Sequence, residues 1–127
     1  NYNTKATVPF LLEITLMGHQ GYFLIDTGSN VNVLKEGIVK IETPNPENTE
    51  CSIIGGGGSF QGALVEIPFT YNNKKAKELF YISDISEALS AMTKSLNLKY
   101  PILGVIGIEF LKKNKAVLNF TNNTYKL

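Results

Sequence analysis

From Val8 to Met17 apolar and polar positions alternate. Val8, Phe10, Leu12, Ile14 and Leu16 share one face, and Pro9, Leu11, Glu13, Thr15 and Met17 share the other. Period two over ten residues predicts a strand. Gly18-His19-Gln20-Gly21 reads as a turn, and Tyr22-Phe23-Leu24-Ile25 as a second, buried strand, so the two are expected to form a hairpin. The Tyr22–Ile25 run delivers one carboxylate, Asp26. Thr27, Gly28 and Ser29 follow as a turn, and Val31-Asn32-Val33-Leu34 resumes as strand. An acid is thus held at a tight loop with hydrophobic chain on both sides, and burial of a lone carboxylate is costly. An ordinary Asp-Gly turn is the plain alternative.

Further along, Thr43–Glu50 holds Pro44 and Pro46 among polar residues and reads as a surface loop. Cys51–Ile54 and Phe60–Ile67 read as strands joined by Gly55-Gly56-Gly57-Gly58-Ser59. A phosphate-cradling loop would need a following Gly-Lys-Ser/Thr and a helix, which this stretch lacks. A flexible spacer and a functional hairpin tip both remain open on the residues alone. Pro68–Tyr71 and Lys74–Ile82 form a hairpin around Asn72-Asn73, with Lys74, Lys75 and Lys77 as a solvated edge. At Asp84–Asn97 the period changes. Ile85, Leu89, Met92 and Leu96 recur at three- and four-residue spacing, which predicts an amphipathic helix with Asp84 as N-cap and Glu87 three residues on. Leu103–Leu111 contains Val105-Ile106-Gly107 and leads into a short helix, and Ala116–Phe120 with Thr124–Leu127 makes a closing hairpin.

Composition narrows the function classes. The chain has 127 residues, 43% hydrophobic and 18% charged, as a folded domain requires. Net charge is +1, which gives no electrostatic case for a nucleic-acid partner. No apolar run approaches the roughly 20 residues of a membrane span. The single His19 and single Cys51 argue against a zinc site, and no cofactor is expected. One cysteine excludes an internal disulfide and fits a reducing compartment, so a cytoplasmic location is favoured over a periplasmic or secreted one. The chain begins at Asn1 rather than Met, so a signal peptide ahead of it is compatible with that start.

The string Leu24-Ile25-Asp26-Thr27-Gly28-Ser29 resembles the catalytic loop of aspartic proteases, and at this length the single-domain retropepsin-like group. A glycine-rich hairpin and then a hydrophobic-hydrophobic-Gly triplet follow in the order that family uses. The resemblance implies an all-β fold with one or two short helices. Residues 1–127 would be a single β-barrel domain with a flap hairpin. It implies Asp26 as catalytic residue in a loop with Thr27, Gly28 and Ser29. Thr27 would brace the paired loops, and Ser29 would hydrogen-bond Asp26. Ile54, Gly55, Gly56, Gly57, Gly58, Ser59 and Phe60 would be the flap that covers substrate, with Val105 and Ile106 near the subsites. The predicted helix after Asp84 is longer than its viral counterpart, so cellular and bacterial members are the nearer pattern. Ile108 and Asn30 stand where viral enzymes usually carry an Arg and its acid partner, so the viral dimer contacts do not carry over. The only other aspartate, Asp84, is in the predicted cap. The implied function is therefore a homodimeric endopeptidase in which each chain gives one Asp26 and cuts a peptide between apolar residues. The rival is a protein–protein interaction module that kept the fold without the chemistry.

Overall fold

The computed structural model describes residues 4–5, 10–39, 50–51, 60–61, 64–122 and 124–127. In chain order the elements are β1 (Thr4–Lys5), β2 (Leu11–Leu16), β3 (His19–Ile25), β4 (Asn32–Lys35), β5 (Glu50–Cys51), β6 (Phe60–Gln61), β7 (Leu64–Tyr71), β8 (Lys74–Ser83), α1 (Ser86–Ser95), β9 (Ile102–Ile106), α2 (Ile108–Lys113), β10 (Val117–Asn119) and β11 (Thr124–Lys126). Six strands close a barrel in the order β2-β3-β9-β4-β8-β7. A separate small sheet runs β1-β11-β10, and β5 pairs with β6. The expected all-β fold with two short helices is what forms.

Alternation along β2 puts Leu12, Ile14 and Leu16 in the core and leaves Glu13 and Thr15 exposed. Leu11, on the second face, is buried too, because α1 covers that side. Leu89 and Ile102 pack with it, and Ile85, Met92 and Leu96 complete the helix stripe. The Thr93 hydroxyl fastens helix to barrel: it donates to the Leu89 carbonyl at 2.8 Å and accepts the Ile102 N–H at 3.1 Å.

Two expectations are corrected. The β2–β3 turn is Met17-Gly18, not residues 18–21, and His19, Gln20 and Gly21 pair with Leu16, Thr15 and Ile14. Met17 and Gly18 have φ of 47° and 84°, as a two-residue turn matching strand twist demands. Gly21 is a packing glycine, since a Cβ there would lie 2.6 Å from the Leu103 side chain and 2.8 Å from the Pro101 carbonyl. His19 is exposed on β3. The second correction concerns α1, whose N-cap is Ile85 with no side-chain cap bond, so Asp84 does not cap it. The Ile85 N–H goes to the Ser83 carbonyl at 3.0 Å. Burial of the Ile85 side chain against Leu11 and Leu89 sets the helix start instead of a polar cap.

The closing hairpin forms as β10 and β11, and β1 adds to its other side through Thr4↔Tyr125 and Lys5↔Thr124. The Asn119 carboxamide accepts the Thr121 and Asn122 N–H groups and so holds the hairpin turn. Tyr125 pins this sheet to the barrel. It is 2% exposed, and its hydroxyl donates to the Leu11 carbonyl at 2.9 Å. Burial, aided by the Glu13 charge, pushes its phenol from 10.0 to about 12. Below pH 10 the phenol is neutral folded or unfolded. Between about 10 and about 12 the unfolded phenol ionises and the folded one does not, so stability falls as pH rises through that window. Urea unfolding from pH 8 to 12 should show this slope, and Tyr125→Phe should lessen it, leaving the part that Tyr22 and Tyr71 contribute, while costing about 1 kcal/mol at pH 8 from the lost hydrogen bond.

Candidate active site

β3 is apolar on both faces because both are covered. Phe23 and Ile25 enter the barrel core, while Tyr22 and Leu24 lie against the α1 cluster. This double coverage explains the unbroken Tyr22–Ile25 run. The strand ends at Ile25, and Asp26 emerges exposed. In the single chain the carboxylate is therefore solvated, and it escapes the burial cost that its apolar neighbours suggested.

β9 fixes this loop from behind. It runs parallel to β3 (Ile25↔Ile106) and antiparallel to β4 (Val33↔Val105), so it is threaded between the strands that enter and leave the loop. The Asp26 N–H donates to the Ile106 carbonyl at 3.0 Å. Within the loop, Ser29 N–H donates to the Asp26 carbonyl at 3.2 Å, and Gly28 N–H donates to Asp26 Oδ1 at 2.9 Å. One carboxylate oxygen is thereby oriented by backbone. Beyond it, the Ile108 N–H donates to the Ser29 carbonyl at 2.8 Å. A Cβ on Gly107 would lie 2.6 Å from the Val31 carbonyl oxygen and 2.8 Å from that of Ser29. Only glycine permits this approach, which is the physical content of the Val105-Ile106-Gly107 signal.

The expected site residues sort as follows. Thr27 and Gly28 are exposed in the loop turn, and Ser29 is half-buried. The Ser29 hydroxyl donates to the Val31 carbonyl at 2.7 Å, so it shapes the loop and does not serve Asp26. Val105 is partly exposed, but Ile106 is 0% exposed in the core. Ile106 supports the loop through its carbonyl, and its side chain does not line an open subsite. Of the flap residues, Ile54, Gly55, Gly56, Gly57, Gly58 and Ser59 lie outside the described residues. Phe60 falls in β6, where it pairs with Cys51 as Gln61 pairs with Glu50, an antiparallel stem on either side of residues 52–59.

One contributor appears in the sequence only as part of the strand Val31–Leu34. Asn32 Oδ1 accepts the Gly107 N–H at 2.8 Å, and its Nδ2 donates to the Leu79 carbonyl at 3.0 Å. It ties β4, the turn before α2, and β8 together where no Arg–acid pair is available. The signal was a carboxamide inside the apolar run Val31–Leu34. Asp84 is exposed at the β8–α1 junction, so Asp26 is the one aspartate of this loop. Among the described residues no three His, Cys, Asp or Glu side chains converge as a metal site would need.

No protein-family model matches the chain, and no curated protein matches it. Among solved structures it is similar to the retroviral protease-like domain of Ddi1 from Leishmania major, with a TM-score of 0.57 and 10% sequence identity over 92% of this chain and 84% of that one. At that identity the likeness concerns the fold, and the barrel, the two short helices and the loop threaded by β9 constitute a retropepsin-like fold.

Proposed function

We propose that this chain is an aspartic endopeptidase domain that acts as a C2 homodimer. The observation that carries the reading is the Asp26 loop. A solvent-facing carboxylate, with one oxygen held by the Gly28 N–H at 2.9 Å, stands at a rigid strand crossing. Two such carboxylates brought together at a twofold axis share one proton, because like charges about 3 Å apart do not both ionise cheaply. The ionised member takes a proton from water, whose oxygen attacks the scissile carbonyl carbon. The protonated member donates to the carbonyl oxygen. Collapse of the tetrahedral species breaks the C–N bond as a proton passes to the leaving nitrogen. The pair titrates as a unit. In this reading Thr27 braces the two loops, Gly28 lines the cleft, and residues 54–60 serve as the flap over an extended peptide bound in strand fashion. The retroviral protease-like neighbour supports the fold on which this rests.

A second reading is a non-catalytic protein–protein module, favoured by one observation: the single chain leaves Asp26 exposed, with no second aspartate in its loop. Sedimentation of the wild-type chain, together with cleavage of a random peptide library from pH 4 to 7, separates the two. The protease reading expects a dimer that cuts between apolar residues. A chain that stays monomeric at high concentration and cuts nothing across that range supports the binding module.

A further inference from the structure

The Asp26 loop continues into a second feature that the chemistry above leaves unused. An open trough of about 400 Å³ starts at Asn30–Asn32 and runs over the outer face of β7–β8 to α2. Its floor includes Leu79, an apolar side chain left 54% exposed. Its backbone is tied to β4, because its carbonyl takes the Asn32 Nδ2 hydrogen bond at 3.0 Å. Three carboxylates and two ammonium groups border the trough. Glu78 is committed to Lys113 at 2.9 Å, and that hydrogen bond raises the lysine's pKa. Glu66 reaches Lys77 only at 3.9 Å, with both side chains 61% exposed, a pair of little strength. Glu109, on the first turn of α2, has no ion pair or hydrogen bond among the described residues. The trough therefore presents an exposed apolar side chain beside one acid with no direct ion pair among the described residues and one weakly held acid, three carboxylates against two ammonium groups in all.

We infer that this trough binds the outer arm of the substrate and selects a Lys or Arg next to an apolar residue. The inference rests on the protease reading and adds its substrate class. Asn30 is four residues from Asp26, and an extended chain spans at most about 3.6 Å per residue, so the near rim lies within about 14 Å of the carboxylate. A strand-like peptide covers that distance in about four residues. The basic residue thus falls three to five positions, roughly, from the scissile bond, with its ammonium or guanidinium between Glu109 and Glu66 and its aliphatic stem on Leu79.

The test is a set of apolar decapeptides with Lys or norleucine scanned along one arm. Wild-type kcat/KM should favour Lys over norleucine about fivefold at one position in that window, the scale of an exposed ion pair. The ratio should fall to about one in Glu66→Gln/Glu109→Gln and in 0.5 M salt, where surface charges are screened. A flat scan, or a Lys preference that survives the double substitution, overturns the inference. If the wild type cuts none of the peptides, that result counts against the protease reading alone. Fluorescence polarisation of labelled forms of the same peptides then judges the trough. Lys-dependent binding lost in the double variant sustains it, and equal binding of Lys and norleucine peptides overturns it.

Discussion

Asp26→Asn should reduce peptide cleavage by roughly 10²- to 10⁴-fold, the range set by loss of general acid–base catalysis. One substitution removes both halves of the proposed pair, because each chain contributes the same residue. Asn keeps the side-chain shape and an oxygen to accept the Gly28 N–H, now 2.9 Å from Asp26 Oδ1. The position is exposed, so its thermal midpoint should stay close to that of the wild type. Loss of activity without loss of fold is the signature sought. A mixing experiment sharpens it. If a dimer needs two intact Asp26 residues, an equal mixture of wild-type and variant chains that exchange freely retains about a quarter of the activity, because only dimers of two wild-type chains work. Retention of about half would mean that each chain acts alone. The pH–rate profile of the wild type should fall on both sides of the range in which the pair holds one proton. An Asp26→Asn protein that cuts at the wild-type rate would end the aspartic mechanism.

The residues that made the fold legible were those whose pattern is local. Leu12, Ile14 and Leu16 announce a strand because one face is dry. Ile85, Leu89, Met92 and Leu96 announce a helix because they recur at its pitch. Asp26 and Gly107 stood out because an acid after an apolar run and a glycine after another are unusual without a structural demand. What stayed hidden depends on partners far along the chain. Leu11 looked like an ordinary second-face residue until α1, more than seventy residues on, covered it. Asn32 is only one residue of the strand Val31–Leu34 in the sequence, yet its two hydrogen bonds reach residues 47 and 75 positions away. Asp84 satisfied the local rule for a helix cap and lost to apolar burial of Ile85, which no local rule weighs. The same asymmetry holds at the site. The chain proclaims Asp26, but the side chains that would meet substrate beyond it, Leu79, Glu66 and Glu109, come together only through the β7–β8 pairing and the packing of α2.

Gly104→Ala should lower the melting temperature by roughly 10 °C. The added methyl would run into the Val33 carbonyl oxygen and stand 3.1 Å from the Leu34 Cα, both backbone atoms. They cannot retreat easily, because Val33↔Val105 and Leu34↔Gly104 are paired positions of β4 and β9, and β9 is held on its other side by β3. Overpacking of this kind costs about 3 kcal/mol, and a chain of this size loses about 3 to 4 °C per kcal/mol. Gly18→Ala is the control. Nothing lies within 4 Å of a Cβ there, and its penalty comes only from a φ of +84°, so it should cost about 1 kcal/mol. Gly107→Ala strikes elsewhere, at the Val31 and Ser29 carbonyls 2.6 and 2.8 Å from its Cβ. It should displace the Asp26 loop and so remove cleavage even where the barrel survives. Calorimetry of the three variants ranks these effects. A Gly104→Ala protein as stable as the wild type would mean that β4 and β9 do not approach as closely as described. The crossing that presents Asp26 would then lose its support, because it is built on that same approach.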